Sequence, residues 1–423
     1  MATLSGPHGR RGMGGGAPPL TSAPPALRIT PVKLAHLADL HLGFRQYHRQ
    51  TPTGLNQRES DVAAAFRDAV SQVIAARPDV IIVAGDLFHS VRPTNPAILF
   101  AFRQFHRLRE ALPEVPLILL AGNHDTPRSV ETGSILSLFE SLGADVVADE
   151  SRRLVYPALG LSVLAVPHAA LLSPDRPALR PAGDEPHQVL VLHGEVEGIF
   201  PADRSSAEYG GAVIQPDDIA RGGWSYVALG HYHVQREVAP RTWYSGALEY
   251  VSSNPWGELA DEREYHVPGK GWLLVDLPSG TVERRPVTPA RRVYDLPPIN
   301  GAGHTALELD QLLAAGIVAI AGGHADQIVR QVVRNVPRHV GRELNHAMIR
   351  QWKAEALHFQ LDLRRPESHR EIGVGSPGRR QTLPELVQDF LERRLLPGEI
   401  DRAAFVQAGV ELVAAVEREW AEG

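Results

Sequence analysis

Short apolar runs alternate with segments of helical periodicity along the first part of the chain. We predict strands at 32–38, 80–84 and 116–121, because each run is almost wholly apolar, as in a sheet that is covered on both faces. Residues 58–76 and 96–112 instead place apolar side chains three and four positions apart, which predicts helices between the strands. This alternation of strand, loop and helix indicates an α/β fold built in layers.

The same kind of pattern continues through the rest of the chain. Further apolar runs at 161–166, 189–192 and 226–229 predict three more buried strands. Later in the sequence, residues 326–336 have the alternation of a strand, and residues 337–354 have the spacing of one continuous helix. The second part of the chain is therefore also expected to mix strands and helices.

These patterns divide the chain into five segments. We expect a disordered tail at 1–30, rich in glycine and proline, and a main α/β domain at 31–285. A smaller α+β domain follows at 286–366. A polar linker at 367–381 then leads to two helices within 382–423, the first of which begins with a capping-box pattern.

The amino-acid composition restricts the possible kinds of metal site more than it restricts the fold. The 423 residues are 43% hydrophobic and 22% charged, which is ordinary for a globular protein. The absence of cysteine excludes disulfides and thiolate metal sites, and it is compatible with the reducing cytosol in which we expect the protein. No apolar run approaches the roughly 20 residues of a membrane span. The tail also lacks the apolar stretch of a signal peptide. Alternatively, translation starts at Met13 and the residues before it are not part of the protein.

Five blocks of metal-seeking residues follow predicted apolar strands. In an α/β fold the carboxyl ends of the strands are where chemistry is normally located, so these blocks are expected to meet. Imidazole, carboxylate and amide oxygen suit Mn²⁺, Fe²⁺ or Zn²⁺, and a site of this kind for two cations hydrolyses phosphate esters. The predicted metal ligands are Asp39, His41, Asp86, Asn123, His193, His231 and His233.

The seven ligands can be divided between two ions. Asp86 is the candidate bridge, because a carboxylate has two oxygens with which to contact both ions. The first ion is predicted to bind Asp39, His41, Asp86 and His233. The second is predicted to bind Asp86, Asn123, His193 and His231. Glycines beside these ligands are expected where the backbone turns sharply next to an ion.

Three further residues are predicted to take part without binding metal. His124 follows a ligand directly and is a candidate general acid for the leaving oxygen. Asp125 is expected to orient the His124 imidazole as a carboxylate partner. His89 lies just beyond the bridge and is predicted to contact the scissile phosphate. Any one of these histidines, taken alone, would more often be structural than catalytic.

At this point the sequence resembles the calcineurin-like metallophosphoesterases, and within them the DNA double-strand-break-repair nucleases. The resemblance spans about residues 32–285 and rests on DLHLG (39–43), GDLFHS (85–90), GNHDTP (122–127), HGE (193–195) and GHYH (230–233). It implies a four-layer αββα sandwich with a small α+β capping domain and C-terminal helices. It also implies two Mn²⁺ ions, the ligand set above, a catalytic His124 and a His89 near the substrate.

The resemblance further implies partners and substrates. Members of this family act as 3′–5′ exonucleases and as endonucleases on single strands and hairpins, and they usually form homodimers. Their capping domain helps to select DNA, and helices after it dock on the coiled coil of an SMC-type ATPase. Because the chain is mildly acidic, DNA contact requires a local basic cluster. Candidates for it are Arg45, Arg49, Arg92, Arg128, Arg330 and Arg334.

Two other functions remain open from the sequence. A phosphatase or cyclic-nucleotide phosphodiesterase would use the same core, although protein phosphatases of this superfamily typically carry GDxVDRG and GNHE in place of the GDLFHS and GNHD found here. A DNA-tethering scaffold subunit without catalysis is the other alternative. The complete set of ligands argues against a scaffold, since such a subunit has no need of all seven.

Overall fold

A computed structural model describes residues 32–127, 133–199, 211–366, 382–394 and 401–422, with side chains described as far as residue 416. The predicted tail, the predicted linker and Arg128 lie outside the described residues. None of the described helices combines the length and hydrophobicity that crossing a bilayer requires.

The described strands are numbered in chain order. They are β1 Lys33–Leu37, β2 Val80–Ala84, β3 Leu117–Leu120, β4 Asp145–Val147, β5 Arg152–Tyr156, β6 Leu161–Val166, β7 His187–His193, β8 Glu195–Val196, β9 Val213–Ile214, β10 Tyr226–Gly230, β11 Arg236–Ala239, β12 Thr242–Tyr244, β13 Gly271–Asp276, β14 Thr281–Pro286, β15 Val293–Asp295, β16 Ile299–Asn300, β17 Ile328–Arg334 and β18 His358–Leu363. The predicted apolar strands β1, β2, β3, β6, β7 and β10 are all confirmed. The shorter strands between them are too brief to leave a periodic signal.

The described α-helices are numbered in the same way. They are α1 Gln57–Ala76, α2 Asn95–Ala111, α3 His168–Leu172, α4 Pro216–Ala220, α5 Pro255–Glu264, α6 Ala306–Val318, α7 Arg338–Glu343, α8 His346–Glu355, α9 Leu383–Arg393 and α10 Arg402–Glu422. Side-chain caps explain where several of them begin. Asn56 caps α1, Thr94 caps α2, and the Thr382 side chain forms the predicted capping box with Glu385 at the start of α9.

Two six-stranded sheets form the main body. The first has the order β14-β13-β1-β2-β3-β4, and strands β1 to β4 run parallel to one another. The second has the order β11-β12-β10-β7-β6-β5, with β6, β7, β10 and β12 parallel. Inward-facing side chains such as Ile82, Ile118, Val189 and Ala228 are buried in one apolar cluster between the sheets.

Helices cover the outer faces of this sandwich. Side chains of α1 and α2, among them Phe66 and Phe105, are buried against the outer face of the first sheet. Residues of α3 and α4, including Leu171 and Ile219, belong to the cluster on the outer face of the second sheet. The predicted α/β class and the four αββα layers are therefore confirmed, and they explain why the central strands are apolar on both faces.

A small third sheet follows the sandwich. In it β17 pairs in parallel with β15, β16 and β18, and α6, α7 and α8 supply apolar side chains to its own core. The prediction of one continuous helix at 337–354 is wrong, because the backbone leaves the helical region at Leu344. Asn345 then caps a new helix by accepting a hydrogen bond from the Met348 N–H. Beyond this unit, α9 and α10 pack against each other.

Candidate metal centre

The candidate ligands come from neighbouring parallel strands of both sheets. Asp39, Asp86 and Asn123 follow β1, β2 and β3, while His193 ends β7 and His231 directly follows β10. Hydrogen bonds join the two sheets at this edge: the His231 N–H donates to Asp39 Oδ1 at 2.8 Å, and His193 Nδ1 lies 2.9 Å from the Ala84 carbonyl oxygen. Since a carbonyl only accepts, His193 carries its proton on Nδ1 and presents Nε2 to the centre.

The backbone at the ligands is strained. Asp39, His41, Asp86 and His231 all have positive φ, at 53°, 44°, 51° and 101°. This region is uncommon for residues with a Cβ, and each such residue costs about 1–3 kcal/mol. Four strained ligands at one edge of the sandwich mark this edge as a functional site, because the rest of the fold must hold them in place.

Two glycines allow the strands to approach closely enough for the ligands to meet. A Cβ at Gly85, where φ is +94°, would lie 2.1 Å from His193 Nδ1. A Cβ at Gly122 would lie 2.1 Å from Asp86 Oδ1. Both distances are far below van der Waals contact, so only glycine fits without displacing a ligand.

The ligand atoms form two neighbouring groups. In one, Asp39, His41 and His233 offer atoms within 4.8 Å of one another, and the Nε2 atoms of the two histidines are 3.2 Å apart. The other group contains Asp86, His193 and His231.

Asn123 joins the second group. Its side-chain oxygen lies 2.9 Å from His193 Nε2 and 3.2 Å from His231 Nδ1. The structure thus brings all seven predicted ligands together, in the two sets that the sequence suggested.

Asp86 lies between the two groups. Its Oδ2 atom is 3.7 Å from His41 Nε2 and 3.2 Å from His193 Nε2. Within the described part of the chain, Oδ2 of Asp86 and Oδ2 of Asp39 are buried without a hydrogen-bond partner. A buried carboxylate oxygen without a partner is costly, whereas a cation would satisfy it. The residues present therefore fit a pair of divalent cations.

Burial and charge act against each other on these carboxylates. Burial raises the pKa of Asp39 to about 6, although His193 and His233 favour its ionised form. Burial has the same tendency at Asp86, but His193 outweighs it and holds the pKa of that carboxyl well below its usual value. Before a cation binds, Asp86 outweighs burial and raises the pKa of His193 to about 9, so a cation bound at Nε2 would displace the proton from that nitrogen. An ionised Asp86 is the form that a metal ion requires.

His89 and His124 lie beside the first group, and their rings stack with centroids 5.1 Å apart. The His124 ring also meets His41 edge-on at 4.9 Å, and His89 Nδ1 is 3.2 Å from His41 Nδ1. His124 Nδ1 lies 2.8 Å from the main-chain oxygen of His89. This carbonyl keeps the proton on Nδ1 of His124 and so defines its tautomer.

Asp125 differs from its predicted role. Its two carboxylate oxygens accept the backbone N–H groups of Leu87, Phe88 and Gly122 at 3.0–3.2 Å. Asp125 thus supports the loop that carries Asp86, and the carboxylate expected behind His124 is replaced by the His89 carbonyl. The reason is that two N–H groups of the strained Asp86 loop and the N–H of Gly122 require an acceptor, and Asp125 is the buried carboxylate that faces them.

Comparison with known proteins bears on the main body. Residues 32–235 match the family described as calcineurin-like phosphoesterase. This part of the chain is similar to that family, and we call it the phosphoesterase domain after this similarity. The match extends from the start of β1 to the ligands after β10, and so it includes all seven candidate ligands of the phosphoesterase domain.

Proteins similar to the phosphoesterase domain carry the name "DNA double-strand break repair protein Mre11". The one from Saccharolobus solfataricus is 30% identical over 252 residues, covering 58% of this chain and 60% of the relative. Those of Methanococcus maripaludis and Sulfurisphaera tokodaii are 27% and 29% identical, over 58% and 59% of this chain and 63% and 60% of the relatives. The chain thus spans about three fifths of the length of these curated relatives.

Several arginines suggested as DNA contacts are instead engaged within the protein. Arg330 donates two hydrogen bonds to Asp295, at 2.8 and 2.7 Å, and Arg45 pairs with Glu59. Arg49 pairs with Asp326 and donates to the carbonyl oxygens of Ala354 and Ala356, so it ties the phosphoesterase domain to the third sheet unit. Of the remaining candidates in the described residues, Arg92 and Arg334 are exposed.

The sequence interpretation missed two groups near the centre. His168 follows β6 as the ligands follow their strands, and burial together with His193 lowers its pKa. Its place after an apolar strand was a usable signal. Glu258 lies against His233 and forms a buried ion pair with Lys270. No local sequence pattern identifies Glu258 and Lys270, because they meet His233 only through the tertiary fold.

Proposed function

We propose that the protein is a metal-dependent DNA nuclease that hydrolyses phosphodiesters at this centre, as the nuclease subunit of an SbcCD-type repair complex. The observation that carries the proposal is the position of Asp86 Oδ2, buried without a hydrogen-bond partner among the described residues, between two groups of imidazoles. Similarity to proteins named for DNA double-strand break repair supports DNA as the substrate.

In this proposal the seven ligands hold two divalent cations, which we assign as Mn²⁺. One set comprises Asp39, His41, Asp86 and His233, and the other comprises Asp86, Asn123, His193 and His231. Two divalent cations bound by these residues would supply an activated water and would neutralise the oxygens of a phosphate ester. The protein's part is to hold the ligands rigidly, with strained backbone and buried carboxylates fixed by both sheets.

We assign proton transfer to His124. The His89 carbonyl holds the Nδ1–H of His124, which leaves Nε2 to donate a proton to the leaving oxygen when the imidazole is charged. We assign His89 to contact with the scissile phosphate, and its stacking on His124 and its contact with His41 support this assignment. Asp125 contributes by keeping the Asp86 loop in place rather than by contacting the substrate.

The remaining parts of the chain are assigned to partners. We propose that residues 286–366 form a cap that helps to select DNA ends, hairpins and single strands, and that the protein acts as a cytoplasmic homodimer. Helices α9 and α10 expose Leu386, Phe390 and Leu412, which are 50%, 64% and 68% accessible. Apolar side chains on a helix surface suit a coiled-coil partner, and we propose an SMC-type ATPase.

A cleavage assay tests the proposal directly. The purified full chain with Mn²⁺ is incubated with end-labelled duplex, hairpin and single-stranded DNA, and we expect cleavage that chelation abolishes. The His124→Ala variant is expected to lose cleavage at least 100-fold, the range of general acid catalysis, while it still binds Mn²⁺. The exposed His106 on α2 offers a matched control, and His106→Ala should cleave normally.

Three results would contradict this proposal. Undiminished cleavage by His124→Ala would remove its assigned role. Hydrolysis of small phosphodiesters without DNA binding would favour the phosphodiesterase alternative, and DNA binding without any cleavage in Mn²⁺ would favour the scaffold.

The partner assignment is tested separately. Replacing Leu386 and Phe390 together by aspartate should leave cleavage intact but prevent co-purification with the ATPase. Arg393→Ala, at an exposed polar position on the same helix, is the control.

A further inference from the structure

Helix α5 lies directly behind the metal centre. Glu258, Asp261 and Glu262 are three and four positions apart, so they share one face of this helix. Glu258 and Asp261 contact the segment that carries His231 and His233, and Asp261 does so by accepting from Tyr232 Oη at 2.7 Å. Glu262 instead accepts from Tyr250 Oη at 2.7 Å. Helix α5 therefore presents two carboxylates to the back of the loop that carries these ligands.

Glu258 reaches the ligand itself. Its Oε1 lies 3.4 Å from His233 Nδ1, slightly longer than a typical N–H···O hydrogen bond, and accepts the Ser252 N–H at 2.9 Å. Lys270 Nζ donates to the His233 carbonyl oxygen at 3.0 Å and pairs with the other oxygen of Glu258. The side chains of Glu258 and Lys270 are only 2% and 1% exposed, so the contacts lie in a region of low dielectric.

This arrangement defines the tautomer of His233. An ionised carboxylate only accepts hydrogen bonds, so a hydrogen bond to Glu258 requires the proton of the neutral imidazole to be on Nδ1. The Nε2 lone pair then faces His41 Nε2, 3.2 Å away, in the group formed with Asp39. Carboxylates behind a metal-bound histidine orient the ring and strengthen it as a ligand.

Lys270 fixes the position of Glu258. Two carboxylates, Glu258 and Glu262, pair with the Lys270 ammonium, which also lies 4.4 Å from the ring centroid of Tyr250. Lys270 Nζ contacts both Glu258 and the His233 carbonyl oxygen, so it holds the carboxylate and the segment of the ligand together.

We propose that Glu258 is a positioning residue for the metal centre: held by Lys270, it accepts the Nδ1–H of His233 and directs Nε2 to the cation shared with Asp39 and His41. The inference rests on the proposed function, because it requires a cation at this group. It goes further by predicting different effects on the two cations. Glu258 contacts a ligand of the first group, so the loss of Glu258 should weaken the binding of the first cation and leave the binding of the second unchanged.

Glu262 provides a matched control for Glu258. Both carboxylates are on α5, both are at least 95% buried at the side chain, and both pair with Lys270. They differ in their other contacts, which are His233 and the Ser252 N–H for Glu258 and the Tyr250 hydroxyl for Glu262. Glu258→Gln and Glu262→Gln keep the side-chain volume and remove one buried charge each. A merely structural role would affect both variants alike.

The test measures Mn²⁺ binding to the full chain. Calorimetric titration gives the affinity of each ion, and electron paramagnetic resonance distinguishes an isolated Mn²⁺ from a coupled pair. We expect Glu258→Gln to weaken one of two binding steps by about 10–100-fold and to leave the other unchanged. At intermediate Mn²⁺ the variant should show the isolated-ion spectrum where the unaltered protein shows the pair. Glu262→Gln should bind both ions normally.

The outcomes separate this inference from the proposed function. Two bound ions with normal affinities in Glu258→Gln would overturn the inference alone, as would equal weakening in Glu262→Gln. Failure of the unaltered protein to bind Mn²⁺ would overturn the metal centre, and the inference with it. Should Glu258→Gln not fold, Glu258→Asp keeps the charge but withdraws the carboxylate by one methylene group. It should weaken the same binding step, and normal affinity would refute the inference.

Discussion

Replacement of Arg58 by methionine tests how the phosphoesterase domain is held together beneath the metal loops. The Arg58 side chain is 1% exposed on α1, and it lies 3.0 Å from Asp61 and 3.2 Å from Glu249. It also donates to the Tyr250 carbonyl oxygen at 2.8 Å. Asp61 has a second cation in Arg291, at 3.1 Å, so the change leaves Glu249 as the unpaired charge.

The magnitude follows from the burial of that unpaired charge. Glu249 is itself 1% exposed, and among the described residues its remaining hydrogen bond is from the Tyr250 N–H at 2.8 Å. Removal of one partner from a buried ion pair costs about 3–5 kcal/mol, because the remaining charge is not compensated. Total stabilities are about 5–15 kcal/mol, so Arg58→Met should lower the urea midpoint severely. A double variant, Arg58→Met with Glu249→Met, should recover part of the loss, since methionine leaves no charge to compensate.

The loss of stability in Arg58→Met should also depend on pH. Burial raises the pKa of Glu249, and Arg58 opposes the rise. Without Arg58 the folded-state pKa rises further, so Glu249 keeps a proton in the folded state at a pH where it loses it on unfolding. Its stabilising contribution is then present below the unfolded pKa of about 4.3 and is lost as pH increases through the raised folded pKa. The deficit of Arg58→Met should therefore be smaller at pH 4 than at pH 7.

Urea unfolding followed by tryptophan fluorescence at both pH values measures these effects. Arg107→Met is the control, because Arg107 is exposed on α2 and contacts only polar surface groups in the described structure. It should change stability by less than about 0.5 kcal/mol. A loss below about 1 kcal/mol in Arg58→Met, or a deficit that grows as pH falls, would refute the reasoning.

Three further changes probe other contacts. Gly122→Ala places a Cβ 2.1 Å from Asp86 Oδ1, and it should weaken Mn²⁺ binding at least 10-fold by calorimetry, whereas normal affinity would exclude a ligand role for Asp86. Asp125→Ala removes the acceptor of three backbone N–H groups and should cost about 3 kcal/mol or more in urea unfolding; a loss near zero would show that the loop needs no such support. Arg49→Ala should speed amide hydrogen exchange in β18 and the end of α8 while the two large sheets keep their protection, and unchanged exchange would contradict its tethering role.

Much of the fold could be predicted from local patterns. The central strands are mostly apolar on both faces because both faces are covered, and this signal is independent of the rest of the chain. The break between α7 and α8 was not predicted, since helical spacing continues across Leu344 and Asn345 although the backbone does not. The choice between one helix and two depended on an Asn345 cap that the spacing alone does not reveal.

The candidate ligands were also accessible from sequence, because each is within a short motif at the end of a strand. Parallel strands bring their carboxyl ends to one edge, so the order of motifs already implied that they meet. The role of Asp125 was predicted wrongly, since adjacency in sequence suggested His124 as its partner. In the fold its carboxylate faces the backbone of another loop, that of Leu87 and Phe88.

The amino-acid sequence by itself determined the layered class, the ends of the main strands and the set of metal-seeking side chains. Only the tertiary structure decided which buried charges meet: Arg58 with Glu249, and Glu258 with Lys270 behind His233. The physical reason is the distance along the chain over which each kind of interaction acts. Periodicity and turn chemistry act over a few neighbouring residues, whereas the energy of a buried charge depends on partners that arrive from distant segments when the sheets pack.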